Sequence, residues 1–277
     1  PEGAAALSYL QGRGLNAKII RHFGLGCAPN RWDGLLRHMR QKGYSEAELV
    51  NANLARRSDK NGRTSCYDNF RNRMMIPIID LRGNVIAFGG RVLDDAKPKY
   101  VNTSDTLVYK KSQAIFALNF AKSANQGKLI LAEGYMDVIA YHQAGFTNAV
   151  ACLGTALTRE QARLLARYAD EVILSYDADG AGQEATRRAI GIFNEIGMKL
   201  RVLRLSGGKD PDEILRQYGP DRLRDLLEGA ANDVEYRLLR EREKFDVSIP
   251  DGKVSFLTAA IGVLAQVDSP IERDVYA

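Results

Sequence analysis

Cysteine, histidine and tryptophan are scarce, at three, three and one among 277 residues. The thiols of Cys27, Cys66 and Cys152 lie far apart, and with His22, His38 and His142 they make no CxxC or HExxH spacing, which excludes the common zinc motifs. A reducing, cytoplasmic setting fits such cysteine usage. No apolar run reaches the roughly 18 residues of a membrane-spanning helix, so no membrane partner is expected. The opening Pro1-Glu2-Gly3 is neither a secretory signal nor an initiator start, and points to a piece of a longer chain. Internal repeats and low-complexity tracts are lacking as well.

What remains is an ordinary globular composition, 45% hydrophobic, enough for a sizeable core in two or three packed units. The net charge of +5 conceals an asymmetry: up to Asn125 there are 20 Lys/Arg against 10 Asp/Glu (+10), and after it 19 against 24 (−5). A basic half suits a polyanion, while an acidic half concentrates carboxylates for a local purpose.

Residues 1–65 read as mostly helical, with turns at Gly12-Arg13-Gly14 and Gly24-Leu25-Gly26. From Asn69 the pattern changes: apolar runs over 73–80 and 85–92 flank the Arg82-Gly83-Asn84 turn and predict a hairpin. Residues 94–107 read as a loop and 113–124 as a short helix. After Gln126 come strand 129–132, helix 135–144, strand 149–153, helix 159–169, strand 171–176, helix 182–195, strand 199–204 and helix 212–217. That alternation predicts an α/β fold with a parallel-rich sheet flanked by helices, whose ligands gather at the carboxyl ends of the strands. From about Pro220 the chain is charged and helical, ending in the apolar stretch 254–267. Three units follow: a basic N-terminal α/β lobe over 1–125, the central sheet over 126–219, and a small helical lobe over 220–277.

Three predicted strand ends carry acids: Glu133 in Glu133-Gly-Tyr-Met-Asp137, Asp177 and Asp179 in Tyr176-Asp-Ala-Asp-Gly180, and Asp210 and Asp212 in Lys209-Asp-Pro-Asp212. Singly, each has a plainer origin as a turn or helix-capping residue. Jointly, adjacent strands bring them to one rim. Clustered carboxylates repel one another unless a cation compensates, and hard oxygen ligands suit Mg2+ (or Mn2+), which leaves positions open for phosphate and water. Competing motifs fail residue by residue. A calcium loop needs an oxygen ligand at Ala181 and Glu at Arg188, and a P-loop needs Gly at Leu203 and Ser or Thr at Asp210. A dehalogenase-like phosphatase needs Thr or Val at Ala181.

Glu133-Gly134, Asp177-x-Asp179 and Asp210-Pro-Asp212 together resemble the toprim module shared by primases, topoisomerases and some nucleases, over about 126–217. Phe70-Arg-Asn-Arg-Met-Met-Ile-Pro-Ile78, Phe88-Gly-Gly-Arg-Val92, Pro98-Lys-Tyr-Val-Asn102 and Ala151-Cys-Leu-Gly-Thr155 extend the resemblance to bacterial replicative DNA primase, from Asp68 to Glu213. The resemblance implies a DNA-directed RNA polymerase core that makes short RNA primers on single-stranded DNA from ribonucleoside triphosphates. It implies too that a zinc-binding module before it and a helicase-binding module after it are cut away, so that a replicative helicase is a partner only through that missing part.

Carried over residue by residue, the resemblance makes Glu133, Asp177 and Asp179 the catalytic, metal-holding acids and Asp210 and Asp212 further metal ligands. Lys99, Asn102 and Lys111 match positions along the template or nucleotide path. Arg71 and Arg73, two apart and on one face if extended, join them as phosphate contacts. Arg91 does so after two glycines that permit a bulge or a close backbone approach to a ligand. Asp137, one helical turn beyond Glu133, would support the metal site from behind. On residues alone, a toprim-type metal-dependent nuclease and an inactive nucleic-acid-binding toprim module stay open.

Overall fold

A computed structural model of the chain describes residues 2–60, 63–124, 126–154, 156–208, 210–267 and 269–277. Pro1, Asn125, Thr155 and Lys209, each named above, lie outside the described residues.

The chain opens with α1 (Ala4–Gly12) and α2 (Ala17–His22), separated by Gly14 at φ +78°, a conformation that glycine adopts without cost. Asn16 caps α2 by accepting the Ile19 N–H at 2.9 Å. Next come β1 (Gly26–Ala28), α3 (Gly34–Gln41) and α4 (Glu46–Asn51), the last entered through a Ser45/Glu48 capping box. β2 (Ala55–Lys60) and β3 (Arg63–Asp68) pair as a separate antiparallel ribbon. The expected hairpin is β4 (Arg73–Ile79) and β5 (Val85–Val92); with β1 and β6 (Tyr100–Asn102) it makes an antiparallel sheet ordered β1-β4-β5-β6.

This part is less helical than its sequence suggests. β1 and β6 are three residues each, too short to show a period, and the β2–β3 ribbon is polar, so apolar alternation does not mark it. The helix expected over 113–124 contracts to α5 (Leu118–Ala121). Its forward half is drawn off by the sheet: Phe116 N–H donates to the Ala151 carbonyl at 2.8 Å, and Ile115, Phe116 and Ala117 are buried.

The second half alternates as expected: β7 (Lys128–Ala132), α6 (Tyr135–Gln143), β8 (Ala149–Ala151), α7 (Arg159–Leu165), β9 (Glu171–Ser175), α8 (Gly180–Glu195), β10 (Lys199–Val202) and α9 (Pro211–Glu228). Short β11 (Ala231–Asn232) leads to α10 (Asp233–Arg242), α11 (Pro250–Leu264) and α12 (Pro270–Tyr276). The sheet order is β11-β10-β9-β7-β8, parallel except for β11. Alternate residues of its strands feed two cores. Ile130, Ala132 and Ile173 join α6 and the N-terminal elements, whereas Leu129, Leu131, Val172 and Leu174 join Ala189 and Phe193 of α8. Each such buried aliphatic side chain contributes about 1.5–3 kcal/mol, and the two-sided burial explains why these strands read as unbroken apolar runs. α9 passes the expected lobe boundary with a kink at Gly219, φ +79°, next to Pro220. On α11 and α12, Val254, Leu257, Ile261, Ile271 and Val275 are exposed. Among the described residues no helix is long and apolar enough to cross a membrane.

Candidate functional site

β7 and β9 are hydrogen-bonded neighbours with Ala132 opposite Ser175, so the residues that follow leave the sheet at one rim. Glu133 is the first off β7, and its Oε2 accepts the Asp177 N–H at 3.1 Å. The Gly134 N–H donates to Asp137 Oδ2 at 3.1 Å, which ties Asp137 to the start of α6. Asp179 caps α8, Oδ1 accepting from Gly182 N–H at 2.8 Å, and Asp210 caps α9, Oδ1 accepting from Glu213 N–H at 2.7 Å. The capping role is thus real for both, yet it engages a single oxygen of a two-oxygen group. α8 begins unusually close to the preceding loop: a Cβ on Gly182 would stand 2.1 Å from the Asp177 carbonyl oxygen. Three helix N-termini, those of α6, α8 and α9, meet at the rim and favour negative charge there.

A cavity of about 580 Å³ opens at this place, and its lining combines Glu133, Asp137, Asp177, Asp179 and Asp210 with the cations Arg13, Arg91, Lys99 and Arg216. Burial, with help from Asp177 and Asp210, pushes the Asp137 carboxyl up to about 7. Burial followed by Glu133, Asp210 and Asp179 pushes Asp177 up to about 6, against the pull of Lys99. Asp177 Oδ1 is shielded from solvent and has no hydrogen-bond partner among the described residues. Acids that hinder one another's ionisation around an unpartnered carboxylate oxygen fit a hard divalent cation. Among the described residues no three His, Cys, Asp or Glu side chains close on one point as a preformed cage.

Not every expected residue lies here. Asp212 is 3% exposed and pairs with Arg13 and, at 3.4 Å, with Arg216. Its charge holds two arginines of the cavity wall instead of facing the acids. Neither arginine stood out in the sequence, although Arg13 sits between two glycines in an otherwise unexplained turn. Lys99 and Asn102 line the cavity, and Asn102 Oδ1 accepts from Tyr135 Oη at 2.9 Å. The Arg91 guanidinium lies over the rings of Tyr9 and Tyr100, at 4.4 and 5.9 Å.

Arg71 and Arg73 do not share a face, because Asn72 at φ +49° interrupts the extended backbone. Arg73 is buried and donates to the carbonyls of Gly90 and Pro98 at 3.1 and 3.2 Å, so it ties β5 to the next loop instead of reaching for phosphate. Arg71 lies over Trp32 and Tyr67, at 4.8 and 5.0 Å, outside the cavity. Lys111 is also outside, on the loop before α5, where its carbonyl accepts from Gln161 Nε2 at 2.9 Å. The two glycines before Arg91 serve the protein's own rings and not a bulge. β5 is regular there, and an added Cβ would meet Tyr135 at 2.5 Å from Gly89, or Phe70 at 2.8 Å from Gly90.

Comparison with known families matches residues 1–122 to the DNA primase catalytic core, N-terminal domain, 130–215 to a Toprim-like domain, and 234–277 to the DnaB-helicase binding domain of primase. The third match covers α10 to α12, so a helicase-binding segment, expected only beyond the chain, has a counterpart within it. A DNA primase of Clostridium acetobutylicum is 44% identical over 272 residues, covering 98% of this chain and 45% of that protein. One of Deinococcus radiodurans is 46% identical over 268 residues, covering 95% and 46%. The chain therefore spans about half the length of these curated relatives. The RNA polymerase domain of Mycobacterium tuberculosis primase DnaG, solved with a double-stranded DNA oligomer with a 6-nucleotide overhang, superposes with a TM-score of 0.88 at 34% identity, over 100% of this chain and 88% of that one. A DnaG primase catalytic domain bound to single-stranded DNA gives 0.81 at 35%, over 99% and 87%.

Proposed function

The chain belongs to the DnaG primase catalytic-core family, and on that premise we propose that it synthesises short RNA primers on single-stranded DNA by nucleotidyl transfer from ribonucleoside triphosphates. The observation that carries this reading is the meeting of five carboxylates, among them an unpartnered Asp177 oxygen, and four cationic side chains in one cavity at the ends of paired strands. Glu133, Asp177, Asp179 and Asp210 would hold Mg2+ or Mn2+. Divalent cations bound there supply charge stabilisation to the attacking 3′-oxygen and the leaving pyrophosphate.

The chain's own residues do the rest. Arg13, Arg91, Lys99 and Arg216 neutralise triphosphate and template phosphates, and Asp212 keeps two of them in place. Asn102, fixed by Tyr135 Oη, lends a directional polar contact. Glu133 is exposed and set by the Asp177 N–H, where it can bind a cation or accept the proton of the attacking hydroxyl. Asp137 fixes the Gly134 N–H and so the course of the backbone after Glu133. Division into lobes over 1–125, 126–219 and 220–277, a cytoplasmic location, and a helicase contact through 234–277 belong to the same reading.

The test is incubation with single-stranded DNA, ribonucleotides and Mg2+ or Mn2+. Primers are the expected product; cleaved DNA would establish a nuclease, and neither product would leave a binding module. Asp177→Asn and Asp179→Asn preserve size and capping ability but remove charge. Primer synthesis should fall at least about a thousandfold, equivalent to about 4 kcal/mol of transition-state stabilisation. Near-normal synthesis with unaltered Mg2+ dependence in both variants would refute the metal assignment.

A further inference from the structure

The Asp177–Asp179 loop is braced by polar contacts that run to the C-terminal helices. Gln183, in the first turn of α8, donates from Nε2 to the Ala178 carbonyl at 2.8 Å, while its Oε1 accepts from Arg240 of α10 at 2.6 Å. Arg240 also pairs with Glu243, whose other carboxylate oxygen takes Arg204, two residues beyond β10. A carbonyl oxygen cannot donate and a guanidinium cannot accept, so these partners dictate which end of the Gln183 amide faces which neighbour. A carboxylate at this position could satisfy Arg240 but not Ala178. Ala178 is the residue between the two acids, and the loop is already pressed by the Asp179 cap and by Gly182 against the Asp177 carbonyl.

We propose that Gln183, braced by Arg240, is a positioning residue for the divalent-cation site: it fixes the Ala178 peptide and with it the direction in which the Asp177 and Asp179 carboxylates leave the loop. The inference rests on the reading that these two acids hold a cation. It assigns the helical lobe a part in the site although no residue of α10 lines the cavity. Lost outer partners of a ligand typically cost one to two orders of magnitude in metal affinity, which sets the size of the expected effect.

The experiment compares Gln183→Ala and Arg240→Ala with Arg188→Ala, a control further along α8 whose guanidinium contacts only Glu184 among the described residues. Mn2+ is titrated into each chain without substrate, free ion being followed by electron paramagnetic resonance, and amide hydrogen exchange is measured in metal-free buffer. Gln183→Ala and Arg240→Ala should bind Mn2+ about tenfold more weakly and exchange faster over 177–182, with the control unchanged. Acceleration confined to that loop separates a loosened site from a loosened fold. Wild-type affinity and exchange in both variants would overturn the bracing role. If Asp177→Asn and Asp179→Asn also kept wild-type Mn2+ binding, the cation reading itself would fall, and the bracing role with it. If those two lose binding while Gln183→Ala and Arg240→Ala keep it, only the bracing role falls.

Discussion

Asp137 and Asp177 retain protons that an aspartate ordinarily sheds near 3.8, with their carboxyls pushed up to about 7 and about 6. Between roughly pH 4 and pH 7 the folded chain therefore binds protons that the unfolded chain releases, and stability falls as pH rises through that window. In EDTA, the melting temperature should drop between pH 5 and pH 8, and Asp137→Asn should flatten the drop. Mg2+, which binds the folded form, should lessen it in the wild type. An identical slope in the variant would return Asp137 to ordinary behaviour. Asp212 obeys a different logic, since its charge is spent on Arg13 and Arg216. Asp212→Asn should cost about 2 kcal/mol in urea unfolding while Mn2+ affinity stays at the wild-type value, since the carboxylate faces the two arginines. A tenfold loss of Mn2+ affinity would restore it as a ligand.

Elements meet where glycines let them. Gly89 on β5 leaves room for the Tyr135 ring of α6, and through it for the contact with Asn102. Gly89→Ala should therefore destabilise the chain by about 1–3 kcal/mol, measured by denaturant midpoint. A midpoint equal to wild type would mean that the ring moves aside at no cost. Legibility at this scale followed burial. β7 and β9 could be read because both faces are covered and their sequences are nearly continuous apolar runs, and β10 because Leu200 and Val202 alternate with polar residues. The β2–β3 ribbon could not, since Arg56, Arg57, Ser58 and Asp59 carry no apolar period; the Asn61-Gly62 dipeptide in the sequence was the one available hairpin signal. Arg71 and Arg73 were placed together by assuming extended backbone across Asn72, which its positive φ denies.

Across the whole molecule the basic and acidic halves meet at the cavity, with Arg91 and Lys99 coming from one and the acids from the other. Arg91→Ala and Lys99→Ala should each flatten the slope of log affinity against log salt for single-stranded DNA by about 0.7, whereas Arg73→Ala should leave the slope alone and lower stability. Slopes equal to wild type in both would remove Arg91 and Lys99 from the template path. Glu133 and Asp177 were legible because they follow their strands by one and two residues, while Asp179 and Asp210 were legible as the acids at the starts of the next helices. Of their counter-charges, Arg91 and Lys99 were legible but Arg13 was not, because it meets Asp212 across 199 residues of sequence and no local pattern reports that. Strand order then acts as a gauge. Neighbouring strands stand about 4.8 Å apart, so carboxylates that follow adjacent strands start side by side, as the Glu133 contact with the Asp177 N–H shows. Had β8 been laid between β7 and β9, as sequence order alone would have it, the two strand ends would stand about 9.6 Å apart, and Glu133 would no longer adjoin the Asp177 N–H that it accepts from. Because β8 lies instead at the outer edge of the sheet, the excursion within the 44 residues separating Glu133 from Asp177 is free to lengthen or shorten while the gauge stays fixed.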